Sequence, residues 1–269
     1  MEQMLVEPAG VPLDGSVVIF DCRFSLSDPD EGRRLYATGH IPGAHYLHLD
    51  DDLAAPVGPH GGRHPLPDAA AFAGLLAHYG VDARTHVIAY DDSRFAFASR
   101  LWWMMRALGY RPPRLLNGGY GAWLASGAAV ETSTPMAAGC APGSVQGYTG
   151  CCDIDGVRDA QMAGALLVDS REPRRYAGLE EPIDPVAGHI PGAINRPWQE
   201  VTGQDARLLD PAALREHWGD TLDSEHLVVY CGSGVTACVN LFSLACLGRD
   251  DAVLYAGSWS DWCSYLHES

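Results

Sequence analysis

The sequence is short of basic charge: 18 Lys and Arg stand against 34 Asp and Glu, a formal charge of -16 over 269 residues. So acidic a chain repels nucleic acid phosphates and anionic lipid surfaces, so neither is expected as a partner, and a site for an anionic substrate must be a local exception. It has no run approaching the roughly 18 apolar residues of a membrane helix. Its first residues, MEQMLVEPAG, carry no basic patch leading into an apolar stretch. No C-x-x-C pair occurs among the eight cysteines, Cys22, Cys140, Cys151, Cys152, Cys231, Cys238, Cys246 and Cys263, and adjacent Cys151 and Cys152 cannot readily chelate one metal together. Disulfide scaffolding is out of place in so large a chain without a leader. These absences make an untargeted protein of the reducing cytoplasm the expectation.

What is present is repetition. Gly-His-Ile-Pro-Gly-Ala occurs at Gly39 to Ala44 and again at Gly188 to Ala193, an offset of 149 residues and more than half the chain. Further landmarks recur at nearly that spacing. Phe20-Asp21-Cys22-Arg23 matches Val168-Asp169-Ser170-Arg171, and Val87 to Tyr90 matches Leu227 to Tyr230. The stretch Leu116-Asn117-Gly118-Gly119-Tyr120-Gly121-Ala122-Trp123 echoes Tyr255-Ala256-Gly257-Ser258-Trp259-Ser260-Asp261-Trp262. Whole domains are therefore duplicated. Between the copies, residues from about Gly127 to Cys152 are rich in Ala, Gly, Ser, Thr and Pro without an apolar period, which reads as a linker. The expected division is a first domain over 1-130, a linker over 131-152 and a second domain over 153-269.

In the second copy the apolar runs Ala165 to Val168, Leu227 to Tyr230 and Ala252 to Tyr255 read as buried strands. Pro211 to Trp218, Thr236 to Leu247 and Trp259 to His267 read as helices. Strands alternating with helices predict an α/β fold in which each domain is a parallel sheet flanked by helices. Chemistry in such folds collects in loops at the carboxyl ends of strands.

The loop after Tyr230 is Cys231-Gly232-Ser233-Gly234-Val235-Thr236-Ala237, leading into an apolar helix. An arbitrary cysteine is usually a small buried hydrophobe, but here two glycines let the backbone curl so that N–H groups face the sulfur, and the helix adds its positive end. That setting favours thiolate over thiol and marks Cys231 as a nucleophile. Cys238, Cys246 and Cys263 read as core residues. In the first copy Asp91 stands where the second has Cys231, followed by Asp92, Ser93 and Arg94, so that copy lacks the nucleophile.

The duplicated GHIPGA, the D-x-R strand ends and the CGSGVTA loop, taken together from about Val17 to Tyr265, resemble the tandem-domain rhodanese family, and the loop most resembles its mercaptopyruvate sulfurtransferase branch. The resemblance implies that Cys231 takes sulfur from 3-mercaptopyruvate or thiosulfate as a persulfide and passes it to cyanide or a thiol, with thioredoxin among the acceptors it allows. It implies no metal or organic cofactor, and a non-catalytic first domain. Backbone groups of Gly232, Gly234, Val235 and Thr236 would hold the sulfur anion.

By the same resemblance Arg175 would bind the donor's anionic end, with Arg174 a competitor, and Ser233 would work with Asp50 and His64 in a proton relay. Arg175 read without the family is an exposed base pairing with Glu172 or Glu180. The family's second arginine before GHIPGA is missing, since Glu180 to Ala187 contains none, and Ser233 replaces the basic residue of thiosulfate-specific loops. The two markers of donor preference thus disagree. His40 and His189 recur in both copies and read as structural, as do Asp21, Arg23, Asp169 and Arg171. Trp259 and Trp262 read as core or cleft-wall aromatics, Trp259 being the better candidate for a neighbour of the donor.

Two other functions fit parts of the pattern. A related architecture hosts cysteine phosphatases, which need an arginine at the sixth position after the cysteine; Ala237 stands there. A persulfide carrier serving protein partners without small-molecule turnover remains compatible with the loop.

Overall fold

The computed structural model describes residues 4–266, and within them the chain folds as two units. The first contains the residues up to Ala55, Pro67–Thr149 and Thr202–Leu208; the second contains Pro56–Leu66, Gly150–Val201 and the residues from Leu209 onward. Each unit therefore borrows a short segment from the other half of the chain.

The first unit is built on β1 (Leu5–Val6), β2 (Val18–Asp21), β3 (Ala44–Tyr46), β4 (Val87–Tyr90) and β5 (Arg114–Leu116), all parallel, in the order β1-β5-β4-β2-β3. The second repeats it with β6 (Cys151–Cys152), β7 (Leu166–Asp169), β8 (Ile194–Asn195), β9 (Leu227–Tyr230) and β10 (Val253–Tyr255), in the order β6-β10-β9-β7-β8. The α/β, parallel-sheet expectation holds in both. Strand β9, Leu-Val-Val-Tyr, is buried at all four positions, as a strand covered on both faces must be.

The linker reading fails at one end. Cys151 and Cys152 form edge strand β6, in register with Leu254 and Tyr255, much as Leu5–Val6 pairs with Leu115 and Leu116. Two residues behind a glycine show no period that sequence inspection can detect.

Helix Pro211–Trp218 has the expected span because Asp210 caps the N–H groups of Ala212 and Ala213 and proline opens the first turn. The helix after the cysteine loop covers Ala237–Cys246. The last covers Ser258–Ser264, and His267, read as helical, lies outside the described residues.

The repeated motifs build the same lock in each unit. Asp21 pairs with Arg23 at 2.5 Å and Asp169 with Arg171 at 2.7 Å, all four side chains being buried. The arginine then donates to the glycine carbonyl that opens GHIPGA, Gly39 or Gly188, at 2.7 Å in both. The strand tyrosine, Tyr90 or Tyr230, binds the isoleucine N–H of the same motif at 3.2 and 3.1 Å. Removing one partner of such a buried pair costs roughly 3 to 5 kcal/mol, which explains why Asp, Arg and GHIPGA recur together. His40 and His189 complete it: each stacks on a tyrosine, Tyr36 or Tyr176, at 3.8 and 4.0 Å, with Nδ1 2.8 Å from that tyrosine's carbonyl oxygen. Their repetition serves architecture.

Candidate active site

Cys231 follows the last residue of β9 and is buried. Its N–H donates to Ser258 Oγ at 3.1 Å, its carbonyl accepts from Trp259 N–H at 3.0 Å, and the Gly232 carbonyl accepts from Ser260 N–H at 2.9 Å. The turn after β10 thus braces the cysteine loop along its length. Ser258 adopts φ 56°, a left-handed conformation that costs a serine about 1 kcal/mol or more, and its hydroxyl is tied both to Cys231 and to the Tyr255 carbonyl, the latter at 2.9 Å. Gly234 sits at φ 76° with the Ala256 carbonyl oxygen 2.2 Å from where a Cβ would lie, so only glycine fits. Thr236 is the N-cap of the ten-residue helix Ala237–Cys246, whose positive end faces the loop. Val235 and Cys238 are buried, and Cys238 Sγ lies 3.4 Å from the Gly234 carbonyl oxygen, a core residue as read.

The segment Pro56–Leu66 brings the first copy's histidine to this loop. His64 Nδ1 is hydrogen-bonded to Ser233 Oγ at 2.7 Å, both residues buried. The segment is pinned along the last helix: Gly61 N–H donates to Asp261 Oδ1 at 2.7 Å, Arg63 N–H to Ser260 Oγ at 3.1 Å, and His60 stacks on Tyr265 at 4.2 Å. Gly62, at φ 77°, approaches the Gly257 carbonyl so closely that a Cβ would fall 2.4 Å from its oxygen. Asp50, expected beside His64, belongs to the first unit, in the short helix Leu49–Asp52. The His64–Ser233 contact is complete within the second.

Arg175 lies on the short helix Pro173–Tyr176, largely buried, with Nη2 2.7 Å from Glu181 Oε1 and 3.0 Å from Asp184 Oδ2. The partners expected for it, Glu172 and Glu180, are not the ones it takes. Arg174 is the exposed member, bonded to Glu180 at 2.8 Å, which removes it from contention. Glu181 also reaches Arg171 at 3.1 Å. A second guanidinium stands opposite, Arg63, paired with the other oxygen of Asp184. A methyl group placed on Gly232 would lie 2.9 Å from Arg63 Nη2 and 3.4 and 3.5 Å from Arg175 Nη1 and Nη2. Two cations therefore look onto the residue next to the cysteine, in a chain of strongly acidic composition. Trp259 is buried, its Nε1 donating to the Val186 carbonyl at 2.8 Å and its ring lying under Arg171 at 5.0 Å. It is a wall of the core.

Sequence inspection missed Arg63, Asp184 and Ser258. Arg63 neighbours His64 in Arg63-His64-Pro65-Leu66-Pro67, and its adjacency to a singled-out histidine was the available signal. For the other two there was none, because their partners lie in other loops.

In the first unit, the position aligned with Cys231 holds Asp91, fully buried, with a carboxylate that accepts from the N–H groups of Ser93, Phe95, Phe97 and Ala98 at 2.8, 3.0, 2.9 and 2.9 Å. Burial pushes this carboxyl up to about 6 against the pull of those amides. Among the described residues no three His, Cys, Asp or Glu side chains gather as a metal site, and no helix is long and apolar enough to cross a membrane.

Comparison with known proteins gives one consistent result. The family model described as Rhodanese-like domain matches residues 12–126 and 154–265. The chain is 44% identical over 91% of its length to a probable 3-mercaptopyruvate sulfurtransferase of Pseudomonas aeruginosa, covering 89% of that protein. It is 38% identical over 96% of its length to a putative thiosulfate sulfurtransferase, SseB, of Mycobacterium tuberculosis, covering 92% of it. Among solved structures, the 3-mercaptopyruvate sulfurtransferase from Leishmania major superimposes with a TM-score of 0.87 at 30% identity, covering 98% of this chain and 75% of that one. SseA from Escherichia coli, a 3-mercaptopyruvate sulfotransferase, does so at 0.81 and 29%, covering 96% and 99%.

Proposed function

We propose, since the chain belongs to the rhodanese family and is a sulfurtransferase, that its donor is 3-mercaptopyruvate and that Cys231 carries the sulfur as a persulfide. The observation that carries this reading is the 2.7 Å hydrogen bond between His64 and Ser233, two residues past the nucleophile. The Cys231 thiolate attacks the thiol sulfur of the donor; the carbon–sulfur bond breaks, and its electron pair moves into the adjacent carbonyl as an enolate. One proton added to that carbon gives pyruvate. A histidine–serine pair beside the reacting sulfur suits a leaving group that must be protonated. Thiosulfate makes no such demand, because sulfite departs with its own electron pair and needs only positive charge. Cyanide then attacks the outer persulfide sulfur and leaves as thiocyanate, restoring the thiolate; a thiol does the same and leaves as a persulfide.

In this scheme Arg175 holds the donor carboxylate, while the backbone of Gly232, Gly234, Val235 and Thr236 surrounds the sulfur anion. Asp50 is the third member of the relay by resemblance to the family. The dithiol of thioredoxin is an acceptor of the right chemistry. The division carried forward in this reading is a non-catalytic 1-130, a linker over 131-152 whose last two residues join the second sheet, and a catalytic 153-269, with Pro56–Leu66 serving the catalytic part. Eight free cysteines fit a reducing cytoplasm.

The test is steady-state kinetics with 3-mercaptopyruvate and thiosulfate, cyanide as acceptor, and the variants Cys231→Ser and His64→Ala. A higher kcat/KM for 3-mercaptopyruvate is expected, with all turnover lost in Cys231→Ser. His64→Ala should slow that donor by about 10²-fold and leave thiosulfate within twofold. A thiosulfate preference overturns the donor assignment, and absence of Cys231-dependent turnover with either donor would establish a persulfide carrier instead.

A further inference from the structure

His64 and Ser233 meet at 2.7 Å although 169 positions separate them in sequence. Each is carried by its backbone, and the residue before each one, Arg63 or Gly232, is bonded to the same residue of the last helix. Ser260 N–H donates to the Gly232 carbonyl at 2.9 Å, and Ser260 Oγ accepts from Arg63 N–H at 3.1 Å. The Ser260 hydroxyl gives its own proton to the Gly257 carbonyl, 3.1 Å away, which leaves its lone pairs for the Arg63 amide. The next residue, Asp261, is 4% exposed; its Oδ1 accepts from Gly61 N–H and its Oδ2 from the Tyr255 hydroxyl, both at 2.7 Å. Burial, then the bond to Asp261, raises the Tyr255 hydroxyl above its ordinary range, so it stays a donor and keeps the carboxylate in one orientation.

The duplication supplies an internal control. The first copy has Gly121 and Ala122 at the positions of Ser260 and Asp261. The backbone bond that ties this turn to the strand end occurs in both copies, Tyr120 N–H to the Asp91 carbonyl at 2.8 Å and Trp259 N–H to the Cys231 carbonyl at 3.0 Å. That bond is shared architecture. The two side-chain acceptors stand only in the copy that carries the nucleophile, and both are spent on amides of Pro56–Leu66, the segment taken from the other half of the chain. This segment contains Gly58, Gly61 and Gly62, whose backbone freedom must be removed before a histidine beyond them can be held in place.

We infer that Ser260 and Asp261 are positioning residues for sulfur transfer, which fix the Gly61–Arg63 backbone against the cysteine loop and thereby hold the His64 imidazole on the Ser233 hydroxyl. Ser260 is the template of the pair, since it touches the neighbour of each member. The need for it is one of tolerance: a displacement of about 1 Å at a catalytic group costs about 10²-fold in rate, and supporting bonds are what keep such a group within its range. The kinetic consequence rests on the proton relay proposed above; the placement of the imidazole does not.

The experiment compares kcat and KM for 3-mercaptopyruvate and thiosulfate in the wild type, Ser260→Ala, Ser260→Thr, Asp261→Ala and Asp261→Asn, and combines Ser260→Ala with His64→Ala. Ser260→Ala keeps the N–H that holds Gly232 and loses only the acceptor. Its kcat for 3-mercaptopyruvate should fall about 10-fold, with KM and the thiosulfate rate within about twofold of wild type. Asp261→Ala should act in the same direction, and Ser260→Thr and Asp261→Asn, which retain an acceptor, should recover most of the loss. In the His64→Ala background Ser260→Ala should have no further effect, whereas a merely structural role would add its full penalty there. Equal losses with both donors, additive penalties, or a kcat within twofold of wild type in both alanine variants would overturn the inference. If Asp261→Ala does not fold, Ser260→Ala decides alone. Should His64→Ala leave 3-mercaptopyruvate transfer unchanged, the relay reading falls by itself, and the positioning is read from the NMR signals of the His64 imidazole: they must move in Ser260→Ala and return in Ser260→Thr, and unchanged signals reject it.

Discussion

At the end of β4 stands Asp91, and at the end of β9 stands Cys231. In the first unit the side chain fills the loop it starts: four amides close on its own carboxylate. Shifted onto the second copy, those amides are the ones of Ser233, Val235, Ala237 and Cys238, of which Cys238 N–H is bonded to the Val235 carbonyl at 3.1 Å. A carboxylate oxygen lies three bonds from Cα, and so does the outer sulfur of a cysteine persulfide. The two loops therefore offer a similar anion socket, permanently stoppered in one unit and left for an exchangeable sulfur in the other. Where the stopper is built in, the backbone tolerates side chains in the left-handed region, Arg94 at φ 57° and Phe95 at φ 69°. Where the socket must receive a guest, a glycine stands at the left-handed position.

That contrast is broken most severely at Gly234. Gly234→Ala meets both an unfavourable φ and the Ala256 carbonyl, and should lower stability by about 3 kcal/mol or more and sulfur transfer at least tenfold, whereas Arg94→Gly at the aligned position should shift stability by no more than about 1 kcal/mol and leave kcat/KM unchanged. Equal responses in a thermal-unfolding and kinetic comparison would mean that the two loops are under no different constraint.

A smaller effect separates the sockets by pH. The Asp91 carboxyl rises on folding from 3.8 to about 6, so the protonated form is the one that the folded state favours. Its contribution is full below about pH 4 and is lost as pH rises through 6, amounting to roughly 2 to 3 kcal/mol. The stability difference between wild type and Asp91→Asn should therefore change by that amount between pH 4 and 7, with sulfur transfer unaffected. A pH-independent difference would show the amides, not burial, in control of this group.

The smallest effect concerns what the copies share. His40→Asn and His189→Asn should each cost about 1 kcal/mol, the former somewhat more because His40 Nε2 also meets the Ser133 carbonyl at 3.1 Å. A kinetic change at His189 alone would give the second GHIPGA a chemical role that its twin lacks.

The duplicated landmarks made the fold legible because each is a local pattern: an apolar strand, a D-x-R corner, a GHIPGA turn. The nucleophile was legible for the same reason, since Cys231, its glycines and the helix that follows are contiguous. Strand β6 was not, being two residues long and defined by its partner β10. Arg63, Asp184 and Ser258 escaped because each acquires its meaning from another loop, 27 residues away for Ser258 and Cys231 and 121 for Arg63 and Asp184. His64 was found through resemblance, and its bond to Ser233 spans 169 residues, a distance over which no periodicity informs.

The transfer of Pro56–Leu66 into the second unit has a hereditary consequence. A duplicated gene can usually be cut back to one copy at its linker, and either half can drift toward independence. Here the half that encodes Cys231 does not encode the histidine and arginine that stand over it, so the copies are bound to be inherited together, and the apparently idle one is kept by eleven residues it has lent.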